Sequence, residues 1–387
     1  MLSYVLLIAA ASLSFATGHD IGQTATYFLE GALAQATLQL LGVVTIIEML
    51  TIFLQDTGSL DRILTALRRV ISDVRLLIAM VPSLLGLFPV PGGTVLSAPM
   101  VAAYGKELNL SSDHNAAINL FFRHVCDQVF PYKPHLILAA AVLNVPLFTL
   151  IGWQLPVAII GLFFGYWYLI GRLPSPKTAP PVNAADGGNG LPLWVELMPF
   201  LIPLALPIGF GIDFLYAMAG GLLFGMITQR VSGSMIRKMV LKGIQLKMLL
   251  ILVSVMVFKT VVENTGLVQV MAAAFTNFGI SLAILVLALP AVVGFFTGLE
   301  TAVVAMVFPL LFGLIPQGVN PMPYILVMMM SNAVGSCVSP AHTCMVAGNE
   351  YLGANYGQVA RLTVVPLLFR LVAMIGFAWA VSTYLPL

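Results

Sequence analysis

Few side chains of this sequence can ionise, and those inside its apolar stretches gather in a few places. Arg123, His124 and Asp127 lie within five positions, and Lys133 and His135 follow on either side of Pro134. Arg123 and Asp127 are four apart, the spacing of a self-satisfying ion pair on one helix face. Alternatively Arg123 or Lys133 holds an anion, helped by the unsatisfied N–H groups of nearby half-helix amino ends. Glu300 stands between Gly298 and Thr301. A carboxylate there can ligate Na+ through oxygen, carry a coupled proton, or serve as a buried counter-ion to Arg123 or Lys133. Gly92, Gly93 and Thr94 form a comparable turn, whose glycines let backbone approach a ligand closely or simply turn the chain. Ser331, Asn332, Ser336, Ser339, His342 and Thr343 surround a further interruption. Their oxygens suit Na+ or the hydroxyls of a polyol acid, although Ser and Thr in spans often bond their own backbone. His342 can couple a proton near neutral pH, or it is a structural histidine held in one tautomer.

The elements that position these groups follow from composition. Of 387 residues, 60% are apolar and 8% are charged, the mean hydropathy is +1.01, and a soluble domain carries about 25% charged residues. Long uncharged runs, continuous rather than alternating, read as helices crossing a hydrocarbon core about 30 Å thick. They lie near 2–17, 33–54, 76–103, 115–150, 151–171, 192–210, 211–229, 246–262, 283–316, 322–349 and 362–385. The first resembles a signal peptide ending at Ser14-Phe15-Ala16, but no Lys or Arg precedes it, so it is read as a retained span. Every charge cited above falls in or beside four interruptions: Phe88 to Thr94, Asp127 to His135, Phe295 to Thr301 and Ser331 to His342. Non-helical backbone at membrane depth is tolerated only where it is buried in protein or lines a wet cavity, so each is a candidate site. A charge within a span costs at least about 2.5 kcal/mol and needs a partner or a purpose. Glu48 and Lys259, on corresponding helices, read as a structural bridge; Met328 to Met330, Phe121 and Phe122 read as packing.

The two halves of the chain repeat. An offset of 208 residues sets Gln55-Asp56-Thr57-Gly58 on Glu263-Asn264-Thr265-Gly266, and Pro82, Gly86 and Phe88 on Pro290, Gly294 and Phe296. One further residue brings Pro131 onto Pro340, and the order of elements agrees. The loop after the first copy carries Arg62, Arg68, Arg69 and Arg75, and residues 267–281 after the second carry no Lys or Arg. By the positive-inside rule the copies face opposite sides. The expected fold is therefore an all-α polytopic membrane protein of two inverted repeats, with about nine crossings plus two re-entrant hairpins. Residues 1–172 form repeat 1, with a hairpin at 76–104 and a broken helix at 115–150. Residues 173–210 form a cytoplasmic linker and a linking span. Residues 211–387 form repeat 2, with a hairpin at 283–316 and a broken helix at 322–349. The amino terminus is expected in the cytoplasm and the chain in the inner membrane.

The segments Gly335 to Val359, Pro89 to Val101 and Asn119 to His124 resemble an uncharacterised family of prokaryotic membrane proteins. That family is grouped with the ion transporter superfamily of gluconate, citrate, dicarboxylate and arsenite permeases. The resemblance implies a secondary carrier, dimeric, whose hairpin tips bind substrate and sodium and whose transport domain moves like an elevator. The tips here, Pro-Gly-Gly-Thr and Gly-Leu-Glu-Thr, differ from the Ser-Asn-Thr of the dicarboxylate carriers, which leaves a carboxylate substrate open. The expected activity is ion-coupled permeation of a small polar anion by alternating access, with no cofactor and with Na+ or H+ as coupling ion. The solute is assigned to Gly92, Gly93, Thr94, Arg123, Lys133, Thr301, Ser331, Asn332 and His342, and ion coupling to Asp127, Glu300, Ser336, Ser339 and Thr343. One rival reading is a cation/proton antiporter in which Asp127 and Glu300 exchange ions, and Arg123 decides between the two by pairing with Asp127 or pointing into the cavity. An intramembrane or lipid-handling enzyme is the rival of another class, without an H-E-x-x-H motif or a nucleophile elbow to support it. A net charge of +2 without a dense basic run excludes nucleic acid as partner, and Cys126, Cys337 and Cys344 have no zinc or disulfide spacing.

Overall fold

The computed structural model describes residues 2–71, 73–87, 93–173 and 192–384, and these contain helices and no strand. The first half comprises α1 (Leu2–Ala16), α2 (Ile21–Leu33), α3 (Gln35–Thr57), α4 (Ser59–Val70), α5 (Val74–Leu87), α6 (Gly93–Glu107), α7 (Ser112–His124), α8 (Pro134–Leu143) and α9 (Leu147–Leu169). After α10 (Leu193–Phe210) come α11 (Phe214–Thr228), α12 (Gly233–Gly243), α13 (Leu246–Asn264), α14 (Leu267–Asn277) and α15 (Leu282–Thr297). The chain finishes with α16 (Glu300–Met306), α17 (Phe308–Gly313), α18 (Met322–Cys337), α19 (Thr343–Leu352) and α20 (Tyr356–Tyr384).

Among the described residues, α3, α9, α10 and α20 are each long and apolar enough to cross a bilayer. Helices α12 and α13, bent by 42° at their junction, pass the same test as a pair. Helix α2 falls between two apolar runs, and a capping box starts it: Asp20 accepts from the Gln23 N–H while Gln23 accepts from the Asp20 N–H. In the run at 115–150, α7 and α8 lie on either side of the interruption. Its second part stops at Leu143, because Asn144 takes a left-handed conformation and Pro146 precedes α9. The second arm of the pair at 283–316 is likewise divided into α16 and α17 at Val307, with Pro309 opening α17. Gly92 and most of the linker at 173–191 lie outside the described residues.

The interruptions are brought together by helix packing. The α5/α6 pair lies against α7, α15 lies against α18, α8 packs on α16, and α19 packs on α6 and α7. Gly86 and Gly294 are two of the glycines that let these helices approach. A Cβ on Gly86 would collide with the Arg123 carbonyl oxygen, and one on Gly294 would stand 2.9 Å from the Ser336 nitrogen and 3.1 Å from the Asn332 oxygen. Met328, Met329, Met330, Phe121 and Phe122 are fully buried in the apolar clusters around the breaks. Away from this region Arg62 pairs with the buried Glu196 at 2.7 Å, and Gln229 donates to the same carboxylate, tying α4 to α10 and α11.

Candidate functional site

Helix α7 ends at His124, and Val125 to Val129 continue as turns. This ending removes the helical register between Arg123 and Asp127, so the ion pair that their spacing allows is not formed. Asp127 instead receives Lys133 Nζ on Oδ1 at 2.6 Å and His124 Nδ1 on Oδ2 at 2.6 Å. Lys133, the residue before α8, is thereby turned back across the break.

Arg123 points elsewhere. It is 6% exposed, and its guanidinium lies on Gly93 at the start of α6, where a Cβ would stand 2.5 Å from Nη2 and 2.6 Å from Nη1. Nε and Nη1 are buried and have no hydrogen-bond partner among the described residues. Leaving such donors unpaired costs about 1–3 kcal/mol each. Thr94 Oγ1, on the same tip, is also buried and has no hydrogen-bond partner among the described residues. The backbone of that tip is held by Asn119, which donates to the Thr94 carbonyl and accepts from Ser97.

Glu300 opens α16. His135 Nε2 approaches its Oε2 at 2.9 Å and Gln128 Nε2 donates to the same oxygen at 3.1 Å. The basic side chain beside Glu300 is therefore His135, and not Arg123 or Lys133 as the alternative counter-ion reading has it. Gly298, which precedes Glu300, has φ +65 and lies so close to Ala341 and His342 that a Cβ would be 2.5 Å from the Ala341 carbonyl carbon. Both the left-handed backbone and the contact call for glycine.

The second break is bonded to the tip before it. Asn332 donates to the Glu300 carbonyl at 3.1 Å, Ser336 donates to Asn332 Oδ1, and Ser339 donates to the Phe295 carbonyl at 2.5 Å. His342 Nδ1 donates to the Gly298 carbonyl at 2.9 Å, and its Nε2 faces His124 Nε2 at 3.1 Å. Ser331 Oγ is buried without a hydrogen-bond partner among the described residues. Thr301 is partly buried on the first turn of α16, and Thr343 is exposed on the first turn of α19. The bridge expected between Glu48 and Lys259 is absent: Glu48 accepts from Gln245 at 2.7 Å and Lys259 lies 3.6 Å from Glu263.

Sequence reasoning left Arg370 out of the site. It is 2% exposed in the middle of α20, its stem lies over Gly161 of α9, and Nη2 donates to the Val125 carbonyl in the first break at 3.1 Å. A guanidinium inside a 29-residue apolar helix is the signal that marks it. Gln128, His135 and Cys344 also join the cluster without having been assigned to it.

Apolar helices around buried, partly paired ionisable side chains define a multi-pass helical membrane protein. Its fold is similar to that in the crystal structure of the Alcanivorax borkumensis YdaH transporter, described as revealing an unusual topology. The match has a TM-score of 0.68 at 14% identity and covers 100% of this chain and 97% of the other. The chain belongs to the family described as protein of unknown function (DUF401), whose model matches residues 2–381. No curated protein matches the sequence.

Proposed function

We propose that the protein is an ion-coupled secondary transporter of the inner membrane that carries a small polar anion by alternating access. The observation that carries this reading is the buried guanidinium of Arg123 at the first tip, whose Nε and Nη1 have no hydrogen-bond partner among the described residues. Around the breaks, Arg123, Lys133 and Arg370 outnumber Asp127 and Glu300 by one when the histidines are neutral. A buried charge without a partner is strongly disfavoured, and an anion seated between Arg123, Thr94 and the amino end of α6 removes that cost. The antiporter reading has less support, because both carboxylates already hold basic partners. Glu300 is the residue to which we assign coupling to Na+ or H+, since it joins the second tip to the first break through His135 and Gln128.

Internal symmetry supports the same reading. The nine helices α1 to α9 correspond in order to α11 to α20, with α16 and α17 together matching α6 and with α10 left over as a linking helix. Contacts correspond as well: α2 packs on α13 as α12 packs on α3, and α8 packs on α16 as α19 packs on α6. The side chains in register are Arg123 with Asn332 and Lys133 with His342. Arg123 and Asn332 each lie on the backbone of their own tip. Inverted repeats with about nine crossings, a cytoplasmic amino terminus, elevator movement and a homodimer belong to this proposal, as the basic loops and the resemblance to the ion transporter superfamily imply.

Purified protein melted against a panel of organic and inorganic anions, each with Na+, with K+ and at two pH values, tests the function. An anion at about 100 times its Kd adds about 2.7 kcal/mol. Stabilisation by one anion class, abolished in Arg123→Gln, is expected; stabilisation by Na+ or pH with no effect of any anion would establish the antiporter instead.

A further inference from the structure

The two histidines at the breaks face each other in an arrangement that a cation between them would satisfy. The Gly298 carbonyl can only accept, so His342 Nδ1 carries a proton. Asp127, paired with Lys133, accepts from His124 Nδ1, which therefore carries a proton too. With each neutral ring protonated on Nδ1, both Nε2 atoms present lone pairs to each other at 3.1 Å. The Cys344 sulfur completes a triangle with them, and the three ligand atoms all lie within 4.8 Å of one another.

We propose that His124 Nε2, His342 Nε2 and Cys344 Sγ bind one transition-metal cation of the Zn2+ class. The donor set, two imidazoles and a thiolate, is one that Zn2+ takes up and that Mg2+, Ca2+ and Na+ do not. Two nitrogens at about 2.0–2.1 Å from a tetrahedral zinc stand about 3.3–3.4 Å apart, so the 3.1 Å separation needs only a few tenths of an ångström of opening. The outer shell is in place: a carboxylate orients one imidazole and a backbone carbonyl the other, the arrangement that fixes tautomer and raises ligand basicity. Three protein ligands leave a fourth position for water or a solute group. Access exists through the side chains of His124, 13% exposed, and Cys344, partly exposed. Because His124 ends α7 while His342 and Cys344 flank the start of α19, the ion would tie the first break to the second. The inference does not depend on the anion-carrier reading, since its readout is metal binding.

The test uses the full chain in detergent, stripped with chelator and titrated with Zn2+ and then with Co2+. The expected result is one ion per chain, with Co2+ giving a thiolate charge-transfer absorption. That absorption is lost in Cys344→Ser and retained in Cys126→Ser and Cys337→Ser. Asp127→Asn, which removes the outer-shell carboxylate, is expected to weaken binding by about 10–100-fold. Folded wild-type protein that shows no thiolate absorption overturns the proposal, and so does an absorption that survives in folded Cys344→Ser.

Discussion

Arg123→Gln separates an anion anchor from a structural arginine, because the two make opposite predictions for the protein without ligand. The wild-type guanidinium is 6% exposed and leaves Nε and Nη1 unpaired. Two unsatisfied buried donors cost about 1–3 kcal/mol each. The substitution replaces the buried charge and its guanidinium donors with a smaller neutral amide, and shortens the stem by one methylene, a loss of about 0.8 kcal/mol of burial. The ligand-free variant is therefore expected to melt at or above the wild-type temperature. Its response to the anion should fall sharply, since removing one partner of a buried charge-assisted contact costs about 2–5 kcal/mol, or about 30- to 5,000-fold in Kd. The assay is thermal unfolding with and without the stabilising anion, paired with uptake into proteoliposomes. A ligand-free variant that loses about 3–5 kcal/mol, as when a buried ion pair is broken, would refute the reasoning. So would anion stabilisation that persists in the variant.

Three other outcomes follow from the same geometry. Gly86→Ala should destabilise by at least the usual overpacking cost of about 1–3 kcal/mol, because its Cβ runs into the Arg123 carbonyl. Gly294→Ala, with contacts of 2.9 and 3.1 Å, should cost less, and denaturant unfolding of the two variants ranks them. Asp127→Asn leaves the Lys133 ammonium buried without its partner and is expected to lose about 3–5 kcal/mol, measured by the same unfolding. At the start of α5, the hydrogen bond from Arg75 holds the Asp73 carboxyl below its ordinary value of 3.8. Its folded pKa lies under its unfolded one, so the contribution is complete above pH 4 to 5 and is lost as pH falls through the folded value. Acid titration of unfolding should show that component vanish in Asp73→Asn.

The first break shows most clearly where local sequence stops being informative. Arg123 and Asp127 have the right spacing for a pair on a continuous helix, but α7 ends at His124 and the pairing passes to Lys133 from beyond Pro131. Periodicity arguments hold only while the backbone keeps its period, and here it changes within the spacing in question. Glu300 was legible as a charge in need of a partner, since a carboxylate beside glycine in an apolar segment is costly. Its partner, His135, lies 165 positions away on another helix, and no pattern along the chain joins them. Arg370 stood in plain view as a charge within an apolar run, and its meaning came from Gly161, the glycine of α9 that makes room for it.

Composition alone determined that this chain is a set of apolar helices, because 8% charged residues cannot surround a water-soluble core. Proline, glycine and polar residues marked which segments are interrupted, since a broken backbone in lipid must be sheltered by protein. What only tertiary structure decided is the pairing at those interruptions: Lys133 and His124 on Asp127, His135 on Glu300, and Arg123 with Nε and Nη1 left without a hydrogen-bond partner among the described residues. It also decided that a cysteine and two histidines with no metal-binding spacing meet at one point, His124 and His342 being 218 residues apart. The physical reason is common to both. Hydropathy and helix breaking act over a few residues and are written locally, whereas electrostatic partners are chosen by which helix ends the packing brings within about 3 Å of each other.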